Sequence, residues 1–182
     1  MFDYHIGVSD AMVQLLISRG FNPQKLFSIY NGVAFPPEKP SLSRGEYLES
    51  LGVSYDEDTV VFGIAARLNP VKDIATLIRG FAGACRKCPN IRLVIAGDGE
   101  ERQMLESLAK ETCPAGSVVF AGWVKDTDSF YHAIDVNMLT SLSEGSPYAL
   151  VEGARMRCAT IATSVGGIPY MMESGVTGLL FT

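Results

Sequence analysis

Two carboxylates and two cations carry the chemistry that this sequence could support. Glu144 and Glu152 are separated by seven residues, and Gly145-Ser146-Pro147 between them reads as the entry to a helix. Proline suits the first helical position and serine the N-cap, so the spacing predicts Glu144 just outside the helix mouth and Glu152 in its second turn. Unpaired backbone N–H groups at such a mouth attract phosphate, and carboxylates on either side accept hydrogen bonds from sugar hydroxyls. The cations lie earlier, in the loop Arg67-Leu68-Asn69-Pro70-Val71-Lys72, which follows a strand candidate. In an open α/β sheet the loops at the carboxyl ends of strands form the ligand crevice, so Arg67 and Lys72 are expected to face the same cleft as Glu144. Two positive charges match a bridging diphosphate, Arg through a fork of hydrogen bonds and Lys as a compact point charge, and both gain as phosphate charge grows on departure.

Blander readings stand beside these. Without the cations, Glu144 and Glu152 would be a loop carboxylate and a helix-surface charge, and Lys72 could simply pair with Asp73 or Asp98. Gly97-Asp98-Gly99 sits between a strand and a helix as a dinucleotide fingerprint would, but Arg102 occupies the third glycine's place, so a tight turn is the reading. Asp126-Thr127-Asp128 spells a D-x-D that could hold a metal; at the start of a short helix, capping is the favoured role. Trp123 could stack on a base, although a lone aromatic beside a strand reads as core or rim packing, and His132 as a helix-face residue. Cys85 and Cys88 extend the apolar stripe of Ile74, Leu77, Ile78 and Phe81, which points to buried, inert thiols rather than a metal knuckle.

The elements that must position these groups follow from the patterning. From Thr59 onward, short β-branched runs alternate with longer amphipathic segments, the pattern of βα units. Strands are expected at 60–65, 91–96, 118–120, 135–139, 159–162 and 178–181, with helices near 72–87, 100–111, 127–133 and 147–157. The first 35 residues read as a short strand at 5–8, a helix from about 10 to 19 closed by Gly20, and an extended 26–30. Pro36-Pro37 and Pro40 mark a linker over 34–43, and 44–51 reads as a short helix.

With 182 residues, 47% of them hydrophobic and 19% charged, the chain can bury a core and falls outside the disordered range. A net charge of −5 argues against nucleic acid as partner, since phosphate backbones call for a basic face. No stretch approaches the roughly 18 to 20 apolar residues of a membrane span, and Met1-Phe2-Asp3-Tyr4 lacks the basic and apolar regions of a secretory signal, so a cytoplasmic location is expected.

Taken together, the motifs resemble retaining glycosyltransferases of the glycogen-synthase and sucrose-synthase type, classed as family 4, with the two-domain GT-B fold. Ile6-Gly7-Val8-Ser9 and Asn31-Gly32-Val33 look like the end of that family's first domain. Arg67 to Lys72 is similar to its R-x4-K grip, and Phe120 to Val124 to its base-pocket strand. Glu144 to Glu152 is similar to its E-x7-E, and Val165-Gly166-Gly167-Ile168-Pro169 with Thr177-Gly178-Leu179-Leu180 to its closing signature. The resemblance implies an α/β, Rossmann-like, mainly parallel sheet with helices on both faces, the C-terminal half of a GT-B fold. It implies that Arg67 and Lys72 hold the donor diphosphate and that Glu144 contacts the transferred sugar. Gly145, Ser146 and Tyr148 would line the donor site, Glu152 would bind the ribose hydroxyls, and the Val124 backbone would lie near the base. A glycosyl group would pass from a nucleoside diphosphate sugar to an acceptor hydroxyl with retention, without a cofactor or an obligatory metal.

Residues 1–33 would be the tail of the acceptor domain, 34–43 the interdomain linker and 44–182 the nucleotide-sugar-binding domain. On this reading the chain lacks most of the acceptor domain and a C-terminal tail, so by itself it is expected to bind donor but transfer little. A saccharide or lipid-linked acceptor would be read elsewhere, and Arg155 and Arg157 are the candidates for peripheral contact with the inner face of a membrane. Three positions depart from the family: Gly153 where alanine is usual, Arg157-Cys158-Ala159 in place of a Gly-x-Pro turn, and Tyr170 in place of glutamate. Other readings of the fold are a nicotinamide-binding oxidoreductase domain and an epimerase-like sugar-nucleotide module.

Overall fold

The computed structural model describes residues 3–35 and 39–182. Among them, a six-stranded sheet runs in the order β5-β4-β3-β6-β7-β8 with every pairing parallel. Its strands are β3 (Val60–Ala65), β4 (Ile91–Ala96), β5 (Val118–Gly122), β6 (Val136–Leu139), β7 (Ala159–Thr163) and β8 (Leu179–Phe181). The chain winds outward from β3 to β5, then crosses back to lay β6 on the other side of β3. That reversal opens a crevice at the carboxyl ends of β3 and β6, where an open α/β sheet binds ligands.

Helices cover both faces, as the patterning predicts. Helices α3 (Ile74–Cys85) and α4 (Arg102–Thr112) bury Ile74, Ile78, Phe81 and Leu105 against Leu93 and Ile95. On the opposite face, α2 (Arg44–Ser50) and α5 (Thr127–Ala133) set Leu48, Phe130 and Tyr131 against Val61 and Val94. Their entries are chemically specified: Ser43 and Glu46 form a reciprocal capping box on α2, and Asp126 accepts from the Ser129 N–H at 3.1 Å to cap α5. A third cluster joins α6 (Tyr148–Arg155) and the short α7 (Ile168–Met171) to Leu139 and Ala162. No helix among the described residues is long and apolar enough to cross a membrane.

The N-terminal residues form a separate two-stranded parallel sheet, β1 (His5–Gly7) with β2 (Leu26–Ser28), joined by α1 (Asp10–Ser18). The Pro36-Pro37 centre of the expected linker lies outside the described residues. Past it, the Leu42 N–H is held by Ser129 Oγ at 2.9 Å. The pattern misses α7, whose four residues are too few to show a period. It also misplaces Cys88: α3 ends at Cys85, which is buried, and Cys88 lies beyond it and is exposed.

Of the departures from the resembled family, Gly153 acquires a physical reason and Arg157 a physical cost. Asn137 on β6 is fully buried, and its side-chain N–H donates to the Ala149 carbonyl of α6 at 2.9 Å. A Cβ at position 153 would stand 2.5 Å from that nitrogen, so Gly153 admits the asparagine. Arg157 adopts φ 63°, the left-handed conformation that glycine usually supplies just past a helix end. Gly153→Ala should therefore destabilise the fold by about 1–3 kcal/mol despite alanine's better helix propensity. In denaturant unfolding, the double variant with Asn137→Ala should lose less than the sum of the single losses. Arg157→Gly should raise stability by about 0.5–1 kcal/mol in the same measurement, as relief of the left-handed strain exceeds glycine's added unfolded-state entropy.

Candidate functional site

The loop after β3 and the loop after β6 meet at the crevice. Thr140 Oγ1 donates to the Lys72 carbonyl at 2.9 Å, and the Leu142 N–H donates to the Val71 carbonyl at 2.8 Å. Asp73, at φ 44°, adopts a left-handed conformation directly after Lys72 and turns the chain into α3. The Lys72 ammonium is thereby brought to the Glu144 carboxylate, with Nζ 2.5 Å from Oε1 and side-chain exposures of 25% and 10%. Ser141 Oγ donates to the same oxygen at 2.6 Å. Lys72 therefore pairs across 72 residues of sequence, not with Asp73 or Asp98 as the local alternative supposes.

Glu144 is also fixed through its backbone. The Gly167 N–H donates to its carbonyl at 3.1 Å, and the Gly166-Gly167 turn runs so close that a Cβ would stand 1.7 Å from the Glu144 carbonyl oxygen or 1.8 Å from that of Gly145. Only glycine permits this approach. Gly145 lies against the N-terminal unit, where a Cβ would meet the Val8 side chain at 3.1 Å. Asn31 Nδ2 donates to the Ser146 carbonyl at 2.6 Å.

The helix mouth differs in detail from the expectation. Pro147, not Ser146, is the N-cap of α6, and no side chain caps it. Ser146 is buried, with its hydroxyl 3.5 Å from the Met171 sulfur. The shift follows from φ −69° and ψ 125° at Pro147, extended backbone that leaves the first helical position to Tyr148, whose side chain is exposed. Glu152 remains one turn inside. Burial raises its carboxyl above the ordinary range, opposed by hydrogen bonds from Tyr131 and Thr127.

Arg67 does not join Lys72 and Glu144 directly. Its guanidinium lies 3.5 Å from Glu100 and is largely exposed. It lines a pocket of about 270 Å³ with Ala65, Ala66, Ala96, Gly97, Trp123, Val124, Thr127 and Phe130, at the carboxyl ends of β3, β4 and β5. Thr127, which also bonds Glu152, ties the second glutamate to this pocket. Expected site residues thus fall into two adjoining groups: Lys72, Glu144, Gly145, Ser146 and Tyr148 at the switch point, and Arg67, Val124 and Glu152 around the pocket. A larger groove of about 850 Å³ between α6, β7 and the 171–179 segment has Arg157 as its charged lining residue among those described, and holds none of the paired groups.

Ser141, Asn31 and Thr140 are contributors that the spacing argument passes over. The run Thr140-Ser141 at a strand's carboxyl end is the signal that could have revealed two of them; Asn31 comes from a different unit and leaves no spacing to read. The remaining motifs resolve into structure. Gly97 has φ 133°, and a Cβ there would stand 1.8 Å from the Ala66 carbonyl oxygen, so close loop packing accounts for it. Asp126 caps α5, and Asp128 pairs with Arg155. Arg155 also bonds the Ala34 carbonyl at 3.1 Å and is mostly buried, so it is not the free surface cation that membrane contact requires. His132 is exposed on α5, as expected.

Residues 52–182 match the family model described as glycosyl transferases group 1. The lipopolysaccharide core biosynthesis glycosyltransferase LpsE of Rhizobium meliloti is 34% identical over 109 residues, covering 60% of this chain and 31% of that protein. The D-inositol 3-phosphate glycosyltransferase of Mycobacterium ulcerans is 27% identical over 182 residues, covering 96% of this chain and 38% of that one. The crystal structure of Anabaena Alr3699/HepE in complex with UDP-glucose superimposes with a TM-score of 0.85 at 26% identity, over 99% of this chain and 50% of its own. The chain thus spans between about a third and a half of the length of these relatives.

The raised carboxyl of Glu152 sets a pH signature. The folded chain holds this proton more tightly than the unfolded chain, so the group's contribution to stability declines as pH rises through the carboxylate range. Glu152→Gln should raise the melting temperature at pH 7, with the difference closing below about pH 4, where the wild-type carboxyl is protonated in both states.

Proposed function

Since the chain belongs to the glycosyl transferases group 1 family, we propose that it is the donor-binding part of an enzyme that moves a glycosyl group from a nucleoside diphosphate sugar to an acceptor hydroxyl with retention of anomeric configuration, as in family 4. The observation that carries this reading is the contact of Lys72 with Glu144 at the sheet's switch point, beside a pocket lined by Arg67. A cation and an acid held together in one crevice suit a ligand that is anionic at its diphosphate and hydroxylated at its sugar. Both Anabaena Alr3699/HepE with UDP-glucose and the family's transferases are consistent with such a donor.

In this reading Arg67 and Lys72 hold the diphosphate, with the uncapped N–H groups at the mouth of α6, near Gly145, Ser146 and Tyr148, adding fixed partial positive charge. Before donor arrives, Lys72 and Glu144 neutralise one another. The diphosphate draws the ammonium to itself and frees Glu144 to accept from a sugar hydroxyl. Glu152 accepts from the ribose hydroxyls, and the Val124 backbone borders the base. The bond from the anomeric carbon to the diphosphate oxygen breaks as the acceptor oxygen attacks from the same face. The acceptor proton passes to the departing phosphate, and the cations stabilise the charge that develops there. No protein cofactor or metal enters these steps. The acceptor is a saccharide or a lipid-linked molecule, and these elements by themselves bind donor and turn over little.

Arg67 and Lys72 differ as test positions. Arg67 is largely exposed, so Arg67→Ala should leave the free protein's melting temperature unchanged. Lys72→Ala leaves Glu144 buried without its cation and should cost about 1–3 kcal/mol before any ligand is added. In a thermal-shift panel of UDP-, GDP- and ADP-sugars, at least one should stabilise the native chain, and Arg67→Ala should abolish that shift. A full shift retained by Arg67→Ala would remove the diphosphate assignment.

A further inference from the structure

Tyr131 is 1% exposed, and its ring meets that of its neighbour Phe130 edge-on at 4.9 Å. Packing alone would be served by a second phenylalanine, because a buried hydroxyl costs free energy unless it finds a partner. The partner is Glu152: the Tyr131 hydroxyl lies 3.4 Å from its Oε2. The contact is long for O–H···O, as bonds of a binding site often are before ligand arrives and tightens them. Thr127 bonds the same carboxylate. Positions 127 and 131 stand at i and i+4 on α5, so one face of that helix offers two hydroxyls to one acid of α6.

Further ties make this bracket rigid. Asp128 pairs with Arg155, one turn past Glu152 on α6, and the Cys158 thiol donates to the Tyr131 carbonyl at 3.0 Å. Helix α5 is itself fixed by its Asp126 cap, and Thr127 carries the bracket to the lining of the Arg67 pocket. A carboxylate offers about four acceptor positions, so two hydroxyl donors leave roughly half of them for a ligand.

We propose that Tyr131 is a positioning residue of the donor site, whose hydroxyl, together with that of Thr127, aims the Glu152 carboxylate at the ribose hydroxyls. The inference rests on the nucleotide-sugar reading above and adds to it a buried side chain that acts only through Glu152. Burial works against the charge of Glu152, and the two hydroxyls oppose that effect. Burial and, after it, the nearby Glu152 carboxylate push the Tyr131 phenol well above its ordinary value, so it stays a donor. Asp128 and Arg155 neutralise one another, Cys158 is pushed up to about 11 by burial and remains a thiol, Arg67 lies beside Glu100, and His132 is exposed. The titration that the Tyr131 hydroxyl controls is therefore that of Glu152, and removing the hydroxyl moves it to higher pH.

The full chain is titrated by calorimetry with UDP, GDP and ADP, with the 2′,3′-dideoxy form of each, and with inorganic pyrophosphate, between about pH 4 and pH 8. The ratio of ribo to dideoxy affinity isolates the hydroxyl contact, since the diphosphate titrates alike in both. For a nucleotide that binds, wild type should prefer the ribo form, and the preference should decline as pH falls through the carboxylate range. Tyr131→Phe should cut ribo affinity about three- to tenfold at pH 7, leave dideoxy and pyrophosphate affinities unchanged, and start the decline at higher pH. Thr127→Val should act in the same direction, and Tyr131→Phe should add nothing in a Glu152→Gln background. Pyrophosphate reports that each variant is folded; Thr127→Val decides alone if Tyr131→Phe does not bind it. Equal losses of ribo and dideoxy affinity, or an unshifted pH profile, would overturn the positioning role. Wild type without a ribo preference would do the same while leaving the diphosphate grip standing. Failure of wild type to bind any nucleotide or pyrophosphate would remove both the positioning role and the nucleotide-sugar reading.

Discussion

The contact between Lys72 and Glu144 is the constraint around which the site is organised. Each residue belongs to a different arm of the sheet: Lys72 closes a single 3-10 turn over Pro70–Lys72, and Glu144 lies in a loop without regular structure. A largely buried ammonium and carboxylate are tolerable only together, because either one alone would be desolvated without compensation. The surrounding bonds, Ser141 to the carboxylate and Thr140 to the Lys72 backbone, keep the two loops in register so that the pair can form. Such an arrangement is weak evidence for stability.

The same economy appears in the glycines of the closing turn. Gly166 and Gly167 bring one loop against the Glu144 and Gly145 carbonyls at a distance that no side chain allows. The carboxylate is thus positioned by backbone packing from behind and by hydroxyl bonding from the front. Glu152, by contrast, is held in a half-buried place that disfavours its charge.

Much of this was legible before coordinates. Strands 60–65 and 91–96 and helix 127–133 coincide with expectation, because continuous β-branched runs and a capped amphipathic turn leave few alternatives. That Lys72 and Glu144 face one cleft was expected from the rule that loops at the carboxyl ends of strands form the ligand crevice, but their direct pairing was not. What could not be read were features set by tertiary contact. The one-residue shift of the α6 cap depends on the backbone at Pro147, the partner of Arg67 on the fold of the Gly99–Glu101 turn, and the burial of Arg155 on Asp128 and Ala34. Gly153 looked like a loss of helix propensity until Asn137 appeared beside it, a co-dependence between residues 16 apart that single-sequence patterning does not register.

The strand order has a consequence for how the molecule comes into being. The block β3-α3-β4-α4-β5 is contiguous and each strand meets a neighbour promptly, but the other flank of β3 stays unpaired until residue 136 has been made. During synthesis from the N-terminus, the loop that carries Lys72 therefore emerges more than seventy residues ahead of the acid that will neutralise it. The apolar edge of β3 is open for the same interval. Parallel sheets are slow to close for this reason, since each crossover must be ordered before its contacts reward it. The ligand crevice is accordingly among the last parts of the sheet to be completed, and a ribosome pausing between these two loops would display a half-built sheet with its cation unpartnered.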